Sequence, residues 1–262
     1  MNRLPWWMVT IVAGVYAFLH APLIVLVVFS FNSSKYGVEW KGFTLDWYAR
    51  LLDRHDIIDG LVNSLIVGLS STAISTVLGT LMALALARHR FRGRQVLEAL
   101  LYVPIVTPEI VCGISLLILF VLLQFPLGIL SITLAHVAFN ISFVTVVVHA
   151  RLQGLDQSLE EAALILGADE ITAFWRVTVP QLLPGIVSGA MLAFTMSFDD
   201  YVITSFVSGQ GSATLPIVVY TMVRKNIEPS INAISTIVLL ATAVLLFVSD
   251  RIGRDKPLVA DS

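Results

Sequence analysis

Residues 8–31 read MVTIVAGVYAFLHAPLIVLVVFSF. The run carries no charged side chain and exceeds the roughly 20 apolar residues that a helix needs to cross the hydrocarbon core of a bilayer. It is also longer than the apolar region of a secretory leader, about 7 to 15 residues, and no A-x-A pattern closes it. It is therefore expected to stay as a first membrane helix. Working outward, runs of the same kind lie near 61–87, 101–123, 129–150, 184–206 and 231–249. In lipid each backbone polar group must be satisfied inside its own segment, so the expected fold class is an all-α integral membrane protein of about six transmembrane helices. The fifth run is the least regular, because it holds Asp199 and Asp200.

Composition agrees with this reading. Hydrophobic residues make up 57% of the 262 positions and charged residues 13%, against about 25% charged in an average soluble domain. A formal net charge of −2 is too small to point to nucleic acid or another polyanion. The single cysteine, Cys112, excludes an internal disulfide and a cysteine-built metal cage, and within an apolar run beside Gly113 it reads as a small packing residue.

With an even number of spans both termini share a side with the second and fourth connections. That side collects ten basic residues, Arg3, Arg88, Arg90, Arg92, Arg94, Arg151, Arg176, Arg251, Arg254 and Lys256. The other side holds six, Lys35, Lys41, Arg50, Arg54, Arg224 and Lys225. The positive-inside rule then places both termini in the cytoplasm. Connection 32–60 faces outward and mixes charges with Tyr36, Trp40, Phe43, Trp47 and Tyr48, a composition suited to an interfacial helix. Connection 151–183 faces the cytoplasm.

The cytoplasmic connection has its own punctuation. Ser158 followed by Glu161 fits a capping box. A helix is expected from there through Glu161, Ala162, Ala163, Leu164, Ile165 and Leu166, with Gly167 free to take the left-handed conformation that ends it. Asp169 can cap a second helix from Glu170 to about Val177, stopped by Val179-Pro180 because proline disfavours helical geometry in the residue before it. On physical grounds alone this is an amphipathic helical hairpin, ordinary or functional.

The same residues carry a resemblance. Glu161-Ala162-Ala163, three residues, Gly167, nine residues, then Val177-Thr178-Val179-Pro180 resembles the EAA loop of binding-protein-dependent ABC importer permeases, with valines at 177 and 179 where isoleucine and leucine are common in the family. Phe31-Asn32-Ser33-Ser34, Trp40-Lys41-Gly42-Phe43-Thr44, Trp47-Tyr48, Arg90-Phe91-Arg92-Gly93 and Ser197-Phe198-Asp199-Asp200-Tyr201 through Ser205-Phe206-Val207 resemble C-type permease subunits of spermidine/putrescine importers. The resemblance runs from about Tyr16 to Lys256. It implies the MetI-like ABC permease fold with a cytoplasmic coupling hairpin. It divides the chain into a first helix and extracytoplasmic loop (1–60), a permease core with its coupling loop at 151–183 (61–250), and a cytoplasmic tail (251–262). It implies a non-catalytic subunit of a bacterial inner membrane, paired with a second permease and an ATPase dimer and fed by an extracytoplasmic solute-binding protein. Glu161, Ala162, Ala163, Gly167, Val177 and Pro180 would then contact the ATPase. No G-x-x-x-x-G-K-[ST] loop occurs in the sequence, so ATP and Mg are expected on the partner and no cofactor or metal in this chain.

An ionised carboxylate at the middle of a membrane helix costs roughly 2.5 to 3.5 kcal/mol on insertion scales, which makes Glu109, Asp199 and Asp200 pathway candidates. A polyamine asks for carboxylates to neutralise its ammonium groups and aromatic faces to hold its cations and methylenes. Phe198-Asp199-Asp200-Tyr201 offers both within one turn. Successive helical residues point about 100° apart, so one aspartate is expected to line the path while the other pairs or caps a broken helix. Thr107-Pro108-Glu109 also reads as cap, first-turn proline and first-turn acid of a restarted helix, with Pro104 and Pro108 marking a break that lines a cavity. His136 and His149, thirteen residues apart, lack metal-ligand spacing and are expected to make interhelical contacts. His20 is expected to satisfy carbonyls freed by Pro22. A permease for another small cationic or amino-acid-like solute is the nearest alternative. A stand-alone secondary transporter would show matching broken halves, and a membrane enzyme a nucleophile and base grouping; neither pattern is found.

Overall fold

The computed structural model describes residues 5–35, 39–156, 158–225 and 229–254, and side chains within these except those of residue 225 and of 245–254. Tyr36, Arg3 and the 255–262 part of the expected tail with Lys256 lie outside the described residues, as does the side chain of Lys225. The described elements are helical: α1 (Trp6–Phe29), α2 (Asp46–Leu51), α3 (His55–Arg88), α4 (Arg94–Val106), α5 (Glu109–Leu122), α6 (Ile129–Gln153), α7 (Ser158–Ile165), α8 (Glu170–Ala173), a π-turn (Phe174–Thr178), α9 (Val179–Asp199), α10 (Val202–Val207), α11 (Leu215–Lys225) and α12 (Pro229–Arg254). They group into two units, residues 1–58 with 218–244, and 59–217 with 245–262.

Four helices are long and apolar enough to cross a membrane, Trp6–Phe29, His55–Arg88, Ile129–Gln153 and Glu170–Asp199, and the α4–α5 pair counts as a fifth if taken as one span. Six had been expected. The stretch 101–123 is not one straight helix: α4 and α5 meet at an angle of 111°. The expected sixth run, 231–249, falls within α12 (Pro229–Arg254), whose side chains are described only as far as Val244. The fifth run also ends early, since α9 stops at Asp199 and the chain restarts as α10 at Val202.

In the first unit α1 is apolar on all sides. His20 Nδ1 bonds the carbonyl of Tyr16 at 2.8 Å. That is one turn below itself, and not the carbonyl of Phe18 that Pro22 leaves without a donor, so the expected relief of the proline does not occur. After α1, Asn32 organises the outer loop. Its side chain accepts from the amides of Ser34 and Lys41 and donates to the carbonyl of Glu39. Its backbone pairs with Phe43 in a single antiparallel bridge, and its carbonyl accepts from Trp47 Nε1 at 2.8 Å. Phe31 stacks on Phe43 and Tyr48. Of the expected interfacial helix only Trp47 and Tyr48 lie on a helix, the short α2; Trp40 and Phe43 precede it.

The second unit is built around α6, half of whose buried residues are polar: Ser131, Thr133, His136, Asn140, Ser142 and Thr145. In a bilayer such groups hold helices together by bonding across the interface. Asn140 donates to the carbonyl of Ala193 on α9, and Thr145 reaches the carbonyl of Gly79 on α3. An apolar cluster of Val67, Phe120, Ile132, Ala135, Phe139, Ile203 and Val207 joins α3, α5, α6 and α10.

The cytoplasmic hairpin differs from expectation at two points. Ser158 is the first helical residue of α7 rather than its cap, and its amide donates to Asp156 Oδ1 at 2.9 Å, so Asp156 supplies the acceptor. Nor does the second helix stop at Val179-Pro180. Pro180 sits in the first turn of α9, and the chain runs on from α8 through the π-turn without a break. A π-turn widens the backbone by one residue, which makes room for a ring that would clash with the carbonyl four residues earlier.

Candidate functional site

A cavity of about 500 Å³ opens where two interrupted helices face each other across α6. One wall is the α4–α5 break, with Pro104, Thr107, Pro108, Glu109 and Cys112; the other is the α9–α10 break, with Asp199, Asp200, Tyr201 and Val202; Phe139 and Phe143 of α6 lie between. The structure thus brings together Glu109, Asp199, Asp200 and Tyr201, residues from two segments of sequence about 90 positions apart. Phe198 does not join them. It stacks on Phe194 with ring centroids 5.7 Å apart and lies outside the cavity lining, because one helical step turns it away from Asp199.

The first break follows from proline. Thr107 closes α4 with an extended backbone (ψ 134°), the geometry a following proline favours, and Pro108 takes the N-cap position of α5, one place earlier than the expected first-turn proline. Glu109 is then the first residue of α5, where a carboxylate favours the helix dipole. The second break has no proline. Asp200 turns extended (ψ 122°) and ends α9. Its Oδ2 accepts from the amide and the hydroxyl of Thr204, each at 2.7 Å. Asp200 is therefore the cap of the broken helix, and its side chain is 6% exposed.

His136 holds the same carboxylate from α6. Its Nε2 is 3.0 Å from Thr204 Oγ1 and 3.3 Å from Asp200 Oδ2, and its Nδ1 is 2.6 Å from Ser197 Oγ, which in turn meets Ser71 Oγ on α3 at 2.9 Å. Because the Thr204 hydroxyl gives its proton to Asp200, the ring presents Nε2–H to this group. The interhelical role expected of His136 is found, though its partner was not legible. Asp199 and Glu109 are exposed, and among the described residues neither forms a hydrogen bond or ion pair. The cavity therefore holds one committed carboxylate and two uncommitted ones, beside aromatic rings. Such a wall can bind cationic groups.

At the other end of α9 the hairpin presents a different surface. α7 closes in a Schellman turn, with the amide of Ala168 on the carbonyl of Ala163 at 3.0 Å and Gly167 at φ +95°. Glu161 and Ala162 are exposed, Ala163 and Val177 half-buried, and Pro180 exposed. Ile165, Leu166, Ile171 and Trp175 are 85%, 88%, 70% and 63% exposed, an apolar patch that sequence reading did not single out. Glu160, next to the motif, pairs with Arg88 at the end of α3 and accepts from the Thr178 hydroxyl at 2.6 Å. Neither Glu160 nor Arg88 had a local signal for this, since 72 positions separate them.

A sequence profile for a family described as "Binding-protein-dependent transport system inner membrane component" matches residues 75–254. The chain is 41% identical over 243 residues to the spermidine/putrescine transport system permease protein PotC of Escherichia coli (strain K12), covering 93% of this chain and 92% of that protein. It is 41% identical over 254 residues to the putrescine transport system permease protein PotI of the same strain, covering 94% and 90%. Among solved structures, a bacterial ABC transporter involved in import of the acidic polysaccharide alginate superposes with a TM-score of 0.75 at 14% identity, covering 95% of each chain. An amino acid ABC transporter solved with histidines gives 0.63 at 20% identity, covering 82% of this chain and 100% of that one. These structural likenesses speak for the fold.

Proposed function

The chain belongs to the binding-protein-dependent transport system inner membrane components, and from that premise we propose that it is a polyamine permease subunit, moving putrescine or spermidine with energy from a partner ATPase. The observation that carries the substrate class is the pairing of two uncommitted carboxylates, Glu109 and Asp199, on facing helix breaks beside Tyr201, Phe139 and Phe143. Two carboxylates on opposite walls match two ammonium groups, and the rings suit the methylenes between them. Asp200 shapes the wall rather than meeting solute.

In this reading Glu161, Ala162, Ala163, Gly167, Val177 and Pro180, with the exposed Ile165, Leu166, Ile171 and Trp175, form the surface on which an ATPase subunit docks. A second permease completes the pathway and an extracytoplasmic binding protein delivers the solute. The basic turn from Arg88 to Arg94 and the hairpin share one end of the second unit, joined by the Arg88–Glu160 pair. That arrangement supports a cytoplasmic placement of both, and an even number of spans would put the termini on the same side.

Uptake of radiolabelled putrescine and spermidine in vesicles holding the complete complex tests the reading. Asp199→Asn and Glu109→Gln should each cut uptake at least about tenfold, the equivalent of roughly 1.4 kcal/mol, while ATP hydrolysis continues. If wild type carries neither polyamine but does carry another small cation, the permease assignment stands and the substrate changes. If both variants transport normally, the cavity is not the path.

A further inference from the structure

The π-turn Phe174–Thr178 joins the hairpin to α9, and Arg88 grips it from two sides. The guanidinium lies over the Phe174 ring, 5.6 Å from its centroid. It also donates to Glu160 Oε2 and, at 3.3 Å, to Thr178 Oγ1. The Thr178 hydroxyl is 4% exposed as part of its residue and donates to the same Glu160 oxygen. One carboxylate oxygen thus ties together α7, the π-turn and the end of α3, and the Arg88 and Glu160 side chains are only 36% and 27% exposed. From this joint α9 runs 21 residues to Asp199, about 30 Å at 1.5 Å per residue. A π-turn is a soft place in a helix, because its wider ring of backbone bonds stacks less well than the α form. Without an external hold, a push on the hairpin would be absorbed there instead of reaching the cavity.

We propose that Arg88, Glu160 and Thr178 form a latch that stiffens the π-turn and so transmits displacement of the hairpin along α9 to the solute cavity, with Arg88 as its positioning residue. The proposal rests on the reading that a partner ATPase drives this chain through the hairpin. It assigns to Glu160, immediately before the Glu161-Ala162-Ala163 motif, a role inside the chain rather than at the partner surface.

The test uses the complete complex in proteoliposomes, with solute uptake and ATP hydrolysis measured on the same sample. Arg88→Ala should leave hydrolysis measured without the solute-binding protein within about twofold of wild type, while the ATP consumed per solute during uptake rises roughly tenfold, inside the span usual for coupling between sites. The reversed pair, Arg88→Glu with Glu160→Arg, should recover most of the wild-type ratio, which a general loss of packing would not allow. An unchanged ratio in Arg88→Ala overturns the latch, as does a parallel fall of uptake and hydrolysis in single and reversed variants alike. If the wild-type complex moves no polyamine, the substrate reading alone fails. The latch is then read from stimulation of hydrolysis by the solute-binding protein, which Arg88→Ala should abolish; retained stimulation overturns it.

Discussion

The two helix breaks that wall the cavity do the same geometric work by different means. At Thr107-Pro108 the interruption is local: proline has no amide proton to give and disfavours helical geometry in the preceding residue, which here is extended. At Asp200-Tyr201 nothing in the backbone forbids a helix. The break there is held by side chains, with Asp200 capping α10 and His136, on another helix, steadying the same carboxylate. The first break is local and cheap to keep. The second depends on a buried network spanning α3, α6, α9 and α10, so it is the more fragile, and the one that a conformational change can remake.

Removing the cap should give the largest effect. Asp200→Ala leaves the Thr204 amide and hydroxyl without their acceptor in a buried setting, and His136 Nε2 with Thr204 Oγ1 alone, at a cost of about 3 kcal/mol. Thermal unfolding in detergent should show it, with Asp200→Asn milder because the amide oxygen still accepts. A loss no greater than that of Asp199→Ala would mean the network does not hold the break. Next comes the packing of α10 against α5. A Cβ on Gly113 would stand 2.6 Å from the Phe206 ring, so Gly113→Ala should cost about 1–3 kcal/mol and disturb the second break more than the first. Unfolding midpoints, together with reactivity of the neighbouring Cys112 thiol, would report both.

Pro108→Ala sharpens the comparison from the other side. Its effect on stability should stay within about 1 kcal/mol, since it changes chiefly the freedom of the unfolded chain. A loss as large as that of Asp200→Ala would make the two breaks alike. The smallest expected effect lies outside the membrane. The Ser158 hydroxyl and amide hold the Asp156 carboxyl below the ordinary aspartate value. A group whose folded value is depressed contributes fully above the unfolded value, about 3.9, and loses its contribution as pH falls through the folded one. Exchange protection of the α7 amides should therefore be flat from pH 5 to 8 relative to an Asp156→Asn control and should decline only in stronger acid.

Much of the fold was legible because membrane helices are announced by length and apolarity, as residues 8–31 show. The hairpin bend was legible too, since Gly167 at positive φ is a local requirement. The break within 101–123 was marked by Pro104 and Pro108 but its angle was not, and the expected stop at Val179-Pro180 gave way because a π-turn can accommodate the ring. Of the candidate pathway residues, Glu109, Asp199, Asp200 and Tyr201 do meet in one cavity, whereas Phe198 turns away to Phe194.

The sequence by itself determined the all-helical membrane class, the hairpin motif and the acids that stand out against an apolar background, because each is a property of composition or of a few neighbouring residues. Only the tertiary structure decided which aspartate is committed and which is open. That choice rests on His136 of α6 reaching Asp200 from 64 positions away, and on Arg88 reaching Glu160, pairings that exist only after the helices have packed.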